Sequence, residues 1–262
     1  MKRESNLAVS PPPPDSSLTV TTPTVGSAMS SSSPTSIELP DLVKIRVIGI
    51  GGSGTVHHVR HSVTGQSYAL KIIGGSSEDS TRIQISREIN ILREADSPFI
   101  IKHHAIFEEG DETKILLEYM DKGHIGSLGR IPEPKLSKFA RQILLGLTYL
   151  HGKKIVHCDI KPMNILMDTE DHIKICDFGL SQKATRICQA GGTFAYMSPE
   201  WASEKFSDGY ANDIWGLGVS LLECYLGKHP LKHDDEELMD WPCMLYLSTY
   251  NETLKAPPGS SV

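Results

Sequence analysis

Residues 157–179 read HCDIKPMNILMDTEDHIKICDFG, and no other stretch of the chain carries as much structural information. Two short apolar runs, 164–167 and 173–176, are separated by a charged turn, a pattern that predicts a β-hairpin. A hairpin brings its two ends together, so the polar residues that lie there are expected to form one cluster. These residues are Asp159, Lys161, Asn164 and Asp177.

The predicted cluster has the composition that phosphoryl transfer requires. In that reaction an aspartate accepts the proton of the attacking hydroxyl, a lysine offsets charge on the transferred group, and carboxylate and amide oxygens bind Mg²⁺. We therefore predict Asp159 as the catalytic base and Lys161 as the residue that stabilises charge. Asn164 and Asp177 are the predicted magnesium ligands. The competing interpretation, a polar turn between two strands, accounts for Asp-Phe-Gly alone but not for the whole stretch.

Composition is typical of an ordinary intracellular protein. The chain has 262 residues, of which 39% are hydrophobic, and a formal net charge of −6, enough for one large or two small domains. The sequence has no basic patch that would indicate nucleic-acid binding, no apolar run of transmembrane length and no N-terminal signal peptide. Its five cysteines follow no pattern, which is typical of a reducing environment. We expect a cytoplasmic and also nuclear protein, with neither nucleic acid nor membrane as a partner.

Residues 1–40 differ in composition from the rest of the chain. They are rich in Ser, Thr and Pro and include consecutive prolines at 11–14. Such a segment cannot bury enough apolar surface to offset the entropy lost on ordering, so it is predicted to be disordered. The folded domain is therefore expected to occupy residues 41–262.

A glycine-rich segment at 49–54 lies between two predicted strands. Its Gly-x-Gly-x-x-Gly spacing also occurs in dinucleotide-binding folds, where it opens a helix. Here residues 55–60 have an extended, partly β-branched pattern, and a strand–loop–strand arrangement covers nucleotide phosphates in phosphoryl-transfer enzymes. A dinucleotide-binding oxidoreductase is therefore disfavoured. Lys71 follows in the otherwise apolar strand 67–73, which favours a functional lysine over an exposed one.

From about Asp41 to its end, the chain resembles the eukaryotic protein kinases in these motifs, with Cys158 where the family usually has arginine. The resemblance implies an α+β, bilobal fold that uses ATP and Mg²⁺. The small lobe, about 41–117, would be a twisted sheet with one helix, followed by a hinge at 118–123. The mostly helical large lobe would occupy 124–262 and is expected to lack the family's last helices. Such a truncation would uncover apolar surface and lower stability.

The resemblance also implies a set of nucleotide-binding residues. Lys71 would contact the α- and β-phosphates and Glu88 would pair with Lys71, with Glu94 as a weaker candidate. Leu117 would be the gatekeeper beside the adenine, whose edge the hinge backbone reads. The complete set implied in this way is Ile48, Gly49, Gly51, Gly54, Val56, Ala69, Lys71, Glu88, Leu117, Glu118 and Met120.

Further motifs resemble the MAP kinase kinases, especially those of plants. Thr193 matches the threonine that bridges the catalytic aspartate and lysine in Ser/Thr and dual-specificity kinases, and 196–200 reads YMSPE. The resemblance implies transfer of the ATP γ-phosphoryl group to Thr and Tyr of a MAP kinase, downstream of a MAP kinase kinase kinase. Residues 2–9 resemble the peptide that docks on a MAP kinase. Asp213 resembles an aspartate that binds the catalytic loop, with a plain helix cap as the alternative.

Two features depart from that family. The segment after Gly179 lacks the usual pair of phosphorylatable residues, with Gln189 at the second position, and Cys158 replaces the arginine that binds the phosphorylated segment. The loss of the phosphorylatable residues is consistent with the loss of the arginine, because a buried arginine that has no phosphate to bind is energetically unfavourable. Activation by an upstream kinase is therefore expected to be absent or altered. The alternative function is a catalytically weak or inactive kinase-like protein that acts as a docking competitor.

Overall fold

The computed structural model describes residues 37–52, 54–74, 79–183, 192–202 and 208–230 of the chain. Three expectations fall outside these ranges: the N-terminal tail with its docking peptide, Gln189, and the end of the large lobe beyond residue 230. The described residues form a sheet-containing small lobe and a mainly helical large lobe. The expected α+β, bilobal fold is therefore confirmed.

The small lobe is built on one antiparallel five-stranded sheet with the strand order β1-β2-β3-β5-β4. One helix, α1, follows the first three strands along the chain. The elements are β1 (Leu42–Gly51), β2 (Gly54–His61), β3 (Ser67–Ile73), α1 (Asp79–Glu94), β4 (His103–Glu109) and β5 (Glu112–Glu118). The two strands predicted around the glycine-rich segment and the strand predicted at 67–73 are thus part of a larger sheet.

Alternation of side chains along the strands gives the sheet two faces. Val59, Leu70 and Leu116 are almost completely buried in a cluster on one face. Ile115 lies on the other face, in the same core cluster as Leu92 of α1. The face that α1 covers is also the face that carries Lys71, because Lys71 pairs directly with Ile115.

The large lobe contains helices and two short strand pairings. The order of its elements is α2 (Glu133–Gly152), β6 (Ile155–Val156), β7 (Ile165–Met167), β8 (Ile173–Ile175), β9 (Gln182–Lys183), α3 (Pro199–Ala202) and α4 (Gly209–Leu226). The two pairings are β6 with β9 and β7 with β8. The predicted hairpin is confirmed, since β7 pairs antiparallel with β8 and Ile165 lies opposite Ile175. Within the described residues, no helix has the length and apolar character needed to span a bilayer.

The apolar stripe of α2 forms the centre of the large lobe. The spacing of apolar residues predicts an amphipathic helix over residues 134–151, with Leu136, Phe139, Ala140, Ile143, Leu144, Leu147 and Leu150 on one stripe. Phe139, Ile143 and Leu150 are indeed fully buried. Leu144, which was included in that stripe, is instead 44% exposed. It lies about 100° around the helix from Ile143, which places it at the edge of the buried stripe. The same core cluster continues through Phe178 into the small lobe and thereby connects the two lobes.

Candidate active site

The carboxylate of Asp159 is the centre of a hydrogen-bonded network. Its Oδ1 accepts hydrogen bonds from the backbone N–H of Thr193 at 2.9 Å and from the Thr193 hydroxyl at 2.8 Å. Its Oδ2 lies 2.7 Å from Lys161 Nζ and 2.9 Å from Asn164 Nδ2. Lys161 Nζ also donates to Thr193 Oγ1 at 2.6 Å. The structure thus brings together Asp159, Lys161 and Asn164, and adds Thr193 from a distant segment.

Asp213, a fully buried residue of α4, holds the loop that carries Asp159. Its Oδ2 accepts the backbone N–H of His157 at 2.9 Å and its Oδ1 accepts that of Cys158 at 2.9 Å. The side chain of His151 makes a third bond to Oδ2, at 2.8 Å. Asp213 is therefore not the cap of its helix, a position taken by Asp208, which accepts the N–H of Tyr210.

His157 is a site residue that the sequence analysis did not single out. Its ring is completely buried and packs edge-on against Phe178. Nε2 donates to the carbonyl of Cys176 at 3.0 Å, which leaves Nδ1 to accept the N–H of Asp159 at 3.3 Å. The imidazole thereby joins the Asp159 loop to the residue that precedes Asp177. Only its place next to Cys158 and Asp159 in the sequence could have indicated this role.

Lys71 forms a second charged group with two carboxylates. Its Nζ lies 2.7 and 2.8 Å from the two carboxylate oxygens of Glu88 on α1 and 3.0 Å from Oδ1 of Asp177. Burial alone would lower the pKa of Lys71, but the charges of Glu88 and Asp177 outweigh burial and raise it. The ammonium group therefore remains protonated at physiological pH. Glu94, the weaker candidate for this pairing, is exposed at the last position of α1.

Asn164 and Asp177 lie at the same end of the β7–β8 hairpin, where the backbone N–H of Cys176 bonds to the carbonyl of Asn164 at 3.0 Å. Asn164 Nδ2 donates to the backbone carbonyl and to Oδ2 of Asp159, so its amide oxygen points away from them. Asp177 has a left-handed backbone (φ 65°) and contributes a carboxylate. One amide oxygen and one carboxylate are hard ligands, and this donor set fits Mg²⁺.

The pairing of the strands places four of the predicted nucleotide-binding residues on one face of the sheet. Val56 pairs with Lys71, and Ala69 pairs with Leu117. Residues directly opposite each other in antiparallel strands share a face, as do residues two apart on one strand. These four side chains therefore face the same side as the cluster around Lys71.

The predicted hinge begins where β5 ends. The carboxylate of Glu118 accepts the N–H of Lys102 at 2.6 Å and lies 2.9 Å from Lys174 Nζ, so its side chain is tied to both lobes. Met120 is buried, with 7% of its surface exposed. Within the described part of the chain, the N–H of Met120 makes no hydrogen bond. A backbone N–H that has no acceptor within the protein suits an external acceptor such as a purine nitrogen.

The glycine-rich segment is extended on both sides of its turn. Gly49 and Gly51 lie in β1, next to Ile48, which is 37% exposed. Gly54 opens β2 with a φ of 115°, and a Cβ there would overlap the carbonyl oxygen of Ile72. Any side chain at this position would collide with β3. The segment leads into a strand, so the helix that a dinucleotide-binding fold requires at this point is absent from the described residues.

Cys158, the residue before Asp159, occupies an apolar environment. It is 2% exposed and belongs to a core cluster with Met197 and Trp201. Burial, reinforced by the charges of Asp213 and Asp159, raises the pKa of its thiol to about 12. The thiol is therefore neutral and contributes packing. This observation gives a physical basis for the loss of arginine at this position, since an arginine would need to enter an apolar cluster.

We expect Cys158→Arg to destabilise the protein by about 3 kcal/mol or more, because it would bury a charge at an apolar cluster and overpack that cluster. That loss corresponds to a fall of roughly 6–12 °C in the melting temperature, measured by circular dichroism. Cys158→Ala is the control and should lose only about 1 kcal/mol. All three residues would share the left-handed backbone (φ 68°) at this position, so backbone strain cancels. Equal melting temperatures for the two variants would contradict this account.

Comparison with known proteins agrees with the geometry. Residues 42–259 match the protein kinase domain. The chain is 43% identical over 235 residues to mitogen-activated protein kinase kinase 7 of Arabidopsis thaliana, covering 86% of this chain and 76% of that protein. It is 40% identical over 277 aligned positions to mitogen-activated protein kinase kinase 9 of the same plant, covering 99% of this chain and 87% of that protein.

A relative from a second plant extends the comparison. Mitogen-activated protein kinase kinase SIPKK of Nicotiana tabacum is 39% identical over 203 residues, covering 73% of this chain and 56% of that protein. The expected resemblance to the plant enzymes is confirmed. With the family match spanning most of the chain and relatives near 40% identity, the chain belongs to the protein kinases and, within them, to the mitogen-activated protein kinase kinases.

Proposed function

We propose that this protein is a dual-specificity kinase that transfers the γ-phosphoryl group of ATP to Thr and Tyr of a MAP kinase. The observation that carries the proposal is the network around Asp159, in which Lys161, Asn164 and Thr193 all contact the same carboxylate. The second charged group, with Lys71 paired to Glu88, is also assembled. A protein that only docks on a partner would not require either arrangement.

The catalytic base in this proposal is Asp159. Hydrogen bonds to Thr193 and Asn164 fix the orientation of its carboxylate, so that it can accept the proton of a substrate hydroxyl. Lys161 lies close enough to share charge with the transferred group. Bound Mg²⁺ would bridge the phosphates and offset their charge. Asn164 and Asp177 are the residues that would hold it.

The nucleotide would lie beneath the sheet face that carries Lys71. The ammonium of Lys71, oriented by Glu88, would bind the α- and β-phosphates. At the opposite end, the N–H of Met120 and the carbonyl of Glu118 would bind the adenine edge, with Leu117 and Ala69 lining the ring. Ile48, Gly49, Gly51, Gly54 and Val56 would cover the nucleotide from above.

The substrate class rests on the relatives and on Thr193. A threonine hydroxyl that bridges the aspartate and the lysine, as observed here at 2.8 and 2.6 Å, supports Ser/Thr or dual specificity over tyrosine specificity alone. The proposed partners are a MAP kinase as substrate and a MAP kinase kinase kinase upstream, in the cytoplasm and the nucleus. The expected change in activation remains part of the proposal, with the neutral, buried Cys158 as its support.

The proposal is tested by incorporation of labelled phosphate from Mg·ATP into a catalytically inactive MAP kinase. We expect label on both Thr and Tyr by phosphoamino-acid analysis, reduced by about 10²-fold or more in Asp177→Asn, because the amide lacks the charge that binds Mg²⁺ and Lys71. Asp111→Asn, in the exposed turn between β4 and β5, is the control and should be fully active. No incorporation by folded protein would contradict the proposal and favour the docking competitor.

A further inference from the structure

The residue at the centre of the hinge is held by a histidine of the small-lobe sheet. Tyr119 lies between Glu118 and Met120, and its ring stacks on the imidazole of His58, with centroids 4.1 Å apart and planes within 3°. His58 Nε2 is hydrogen-bonded to Ser67 Oγ at 2.9 Å, which fixes the orientation of the imidazole. The stack is therefore an ordered contact between β2 and the hinge.

His58 lies on the face of the sheet that carries the predicted nucleotide-binding residues. It pairs directly with Ala69 of β3, and it is two residues beyond Val56 on β2. Both relations place its side chain on the same face as Lys71, at the end of that face nearest the hinge. The stacked pair thus forms the border of the cleft beside the adenine position.

The environment of the imidazole favours its neutral form. Burial, reinforced by the charges of Arg46 and Arg60, lowers the pKa of His58. Arg46 also lies within 3.4 Å of the Tyr119 hydroxyl, to which its Nη2 donates. A neutral ring, 9% exposed, contributes stacking area without an uncompensated charge.

We propose that His58 is a positioning residue for the adenine end of the nucleotide site. By fixing the ring of Tyr119, it holds the two peptide units that join Glu118 to Met120, so that the N–H of Met120 stays directed into the cleft. This inference rests on the proposed function for the identity of the nucleotide. The inference goes beyond the proposed function because it assigns a role in nucleotide affinity to His58, a residue that does not contact the reacting groups.

The test measures binding rather than turnover, so it remains informative if the protein transfers no phosphate. Calorimetry with the non-hydrolysable analogue Mg·AMP-PNP is expected to show affinity about two- to tenfold weaker for His58→Ala, the range for loss of one aromatic stack. Binding of Mg·tripolyphosphate, which occupies only the phosphate end near Lys71, should be unchanged. His58→Phe keeps a ring for stacking and should bind Mg·AMP-PNP within about twofold of the unaltered protein.

His57→Ala is the matched control, because His57 is the neighbouring histidine on the opposite face of β2 and pairs with Leu70. It should leave both affinities unchanged. The double variant His58→Ala/Tyr119→Ala should bind Mg·AMP-PNP no more weakly than Tyr119→Ala alone, since both changes remove one contact. The proposal is overturned if His58→Ala binds Mg·AMP-PNP normally, if it weakens both ligands equally, or if the two changes are additive.

Discussion

Asp159→Asn is expected to lower kcat for phosphoryl transfer by about 10²–10⁴-fold, the range for removal of a general base. The amide oxygen can still accept both hydrogen bonds from Thr193, which are directed to Oδ1. The amide nitrogen would replace Oδ2, where it would face the ammonium of Lys161 and the Nδ2 group of Asn164. Two attractive contacts thus become donor–donor contacts, and the proton acceptor is lost.

The measurement is the rate of label transfer to the inactive MAP kinase under saturating Mg·ATP. Asp111→Asn, which makes the same chemical change at an exposed turn, should retain full activity. Calorimetry with Mg·AMP-PNP should show that Asp159→Asn still binds nucleotide, because Lys71 and the hinge are unchanged. A variant that keeps more than a tenth of the activity would rule out Asp159 as the base.

Asp213→Ala is expected to be the most destabilising single change on α4, with a loss of about 3–5 kcal/mol. The carboxylate accepts three hydrogen bonds, from the backbone N–H groups of His157 and Cys158 and from the ring of His151. Alanine would leave these donors unsatisfied in the core. Domains of this size are commonly stable by only about 5–15 kcal/mol, and a loss of this size should lower the melting temperature by roughly 6–20 °C.

Asp208→Ala supplies the matched control for this prediction. Asp208 is the exposed N-cap of the same helix, where its side chain accepts one hydrogen bond from the N–H of Tyr210, and its loss should cost about 1 kcal/mol. Phosphoryl-transfer activity measured below the melting temperature should also distinguish the two variants. It should fall in Asp213→Ala, because Asp213 positions the loop of Asp159, and should be retained in Asp208→Ala. Equal stability and equal activity of the two variants would contradict the anchoring role of Asp213.

The local sequence pattern was sufficient to predict those elements whose contacts join residues close together in the chain. The alternation of apolar residues around a charged turn predicted the β7–β8 hairpin, and helical spacing predicted α2 to within a residue at each end. The cluster at the hairpin end follows from these elements, because a hairpin joins its ends in any context. Leu144 marks the limit of this reasoning, since spacing alone did not show which of two adjacent apolar residues faces the core.

The sequence by itself determined the hairpin, because the hairpin is encoded in a short run with a regular period, and the resemblance of its motifs to the protein kinases predicted the two lobes and the roles of the charged residues. Only the tertiary structure decided how distant residues meet: Asp213 bonds the Cys158 loop across 55 positions, and His58 stacks on Tyr119 in the hinge. No local period connects such residues. Their contact depends on how the sheet and helices pack, and packing is a property of the whole fold.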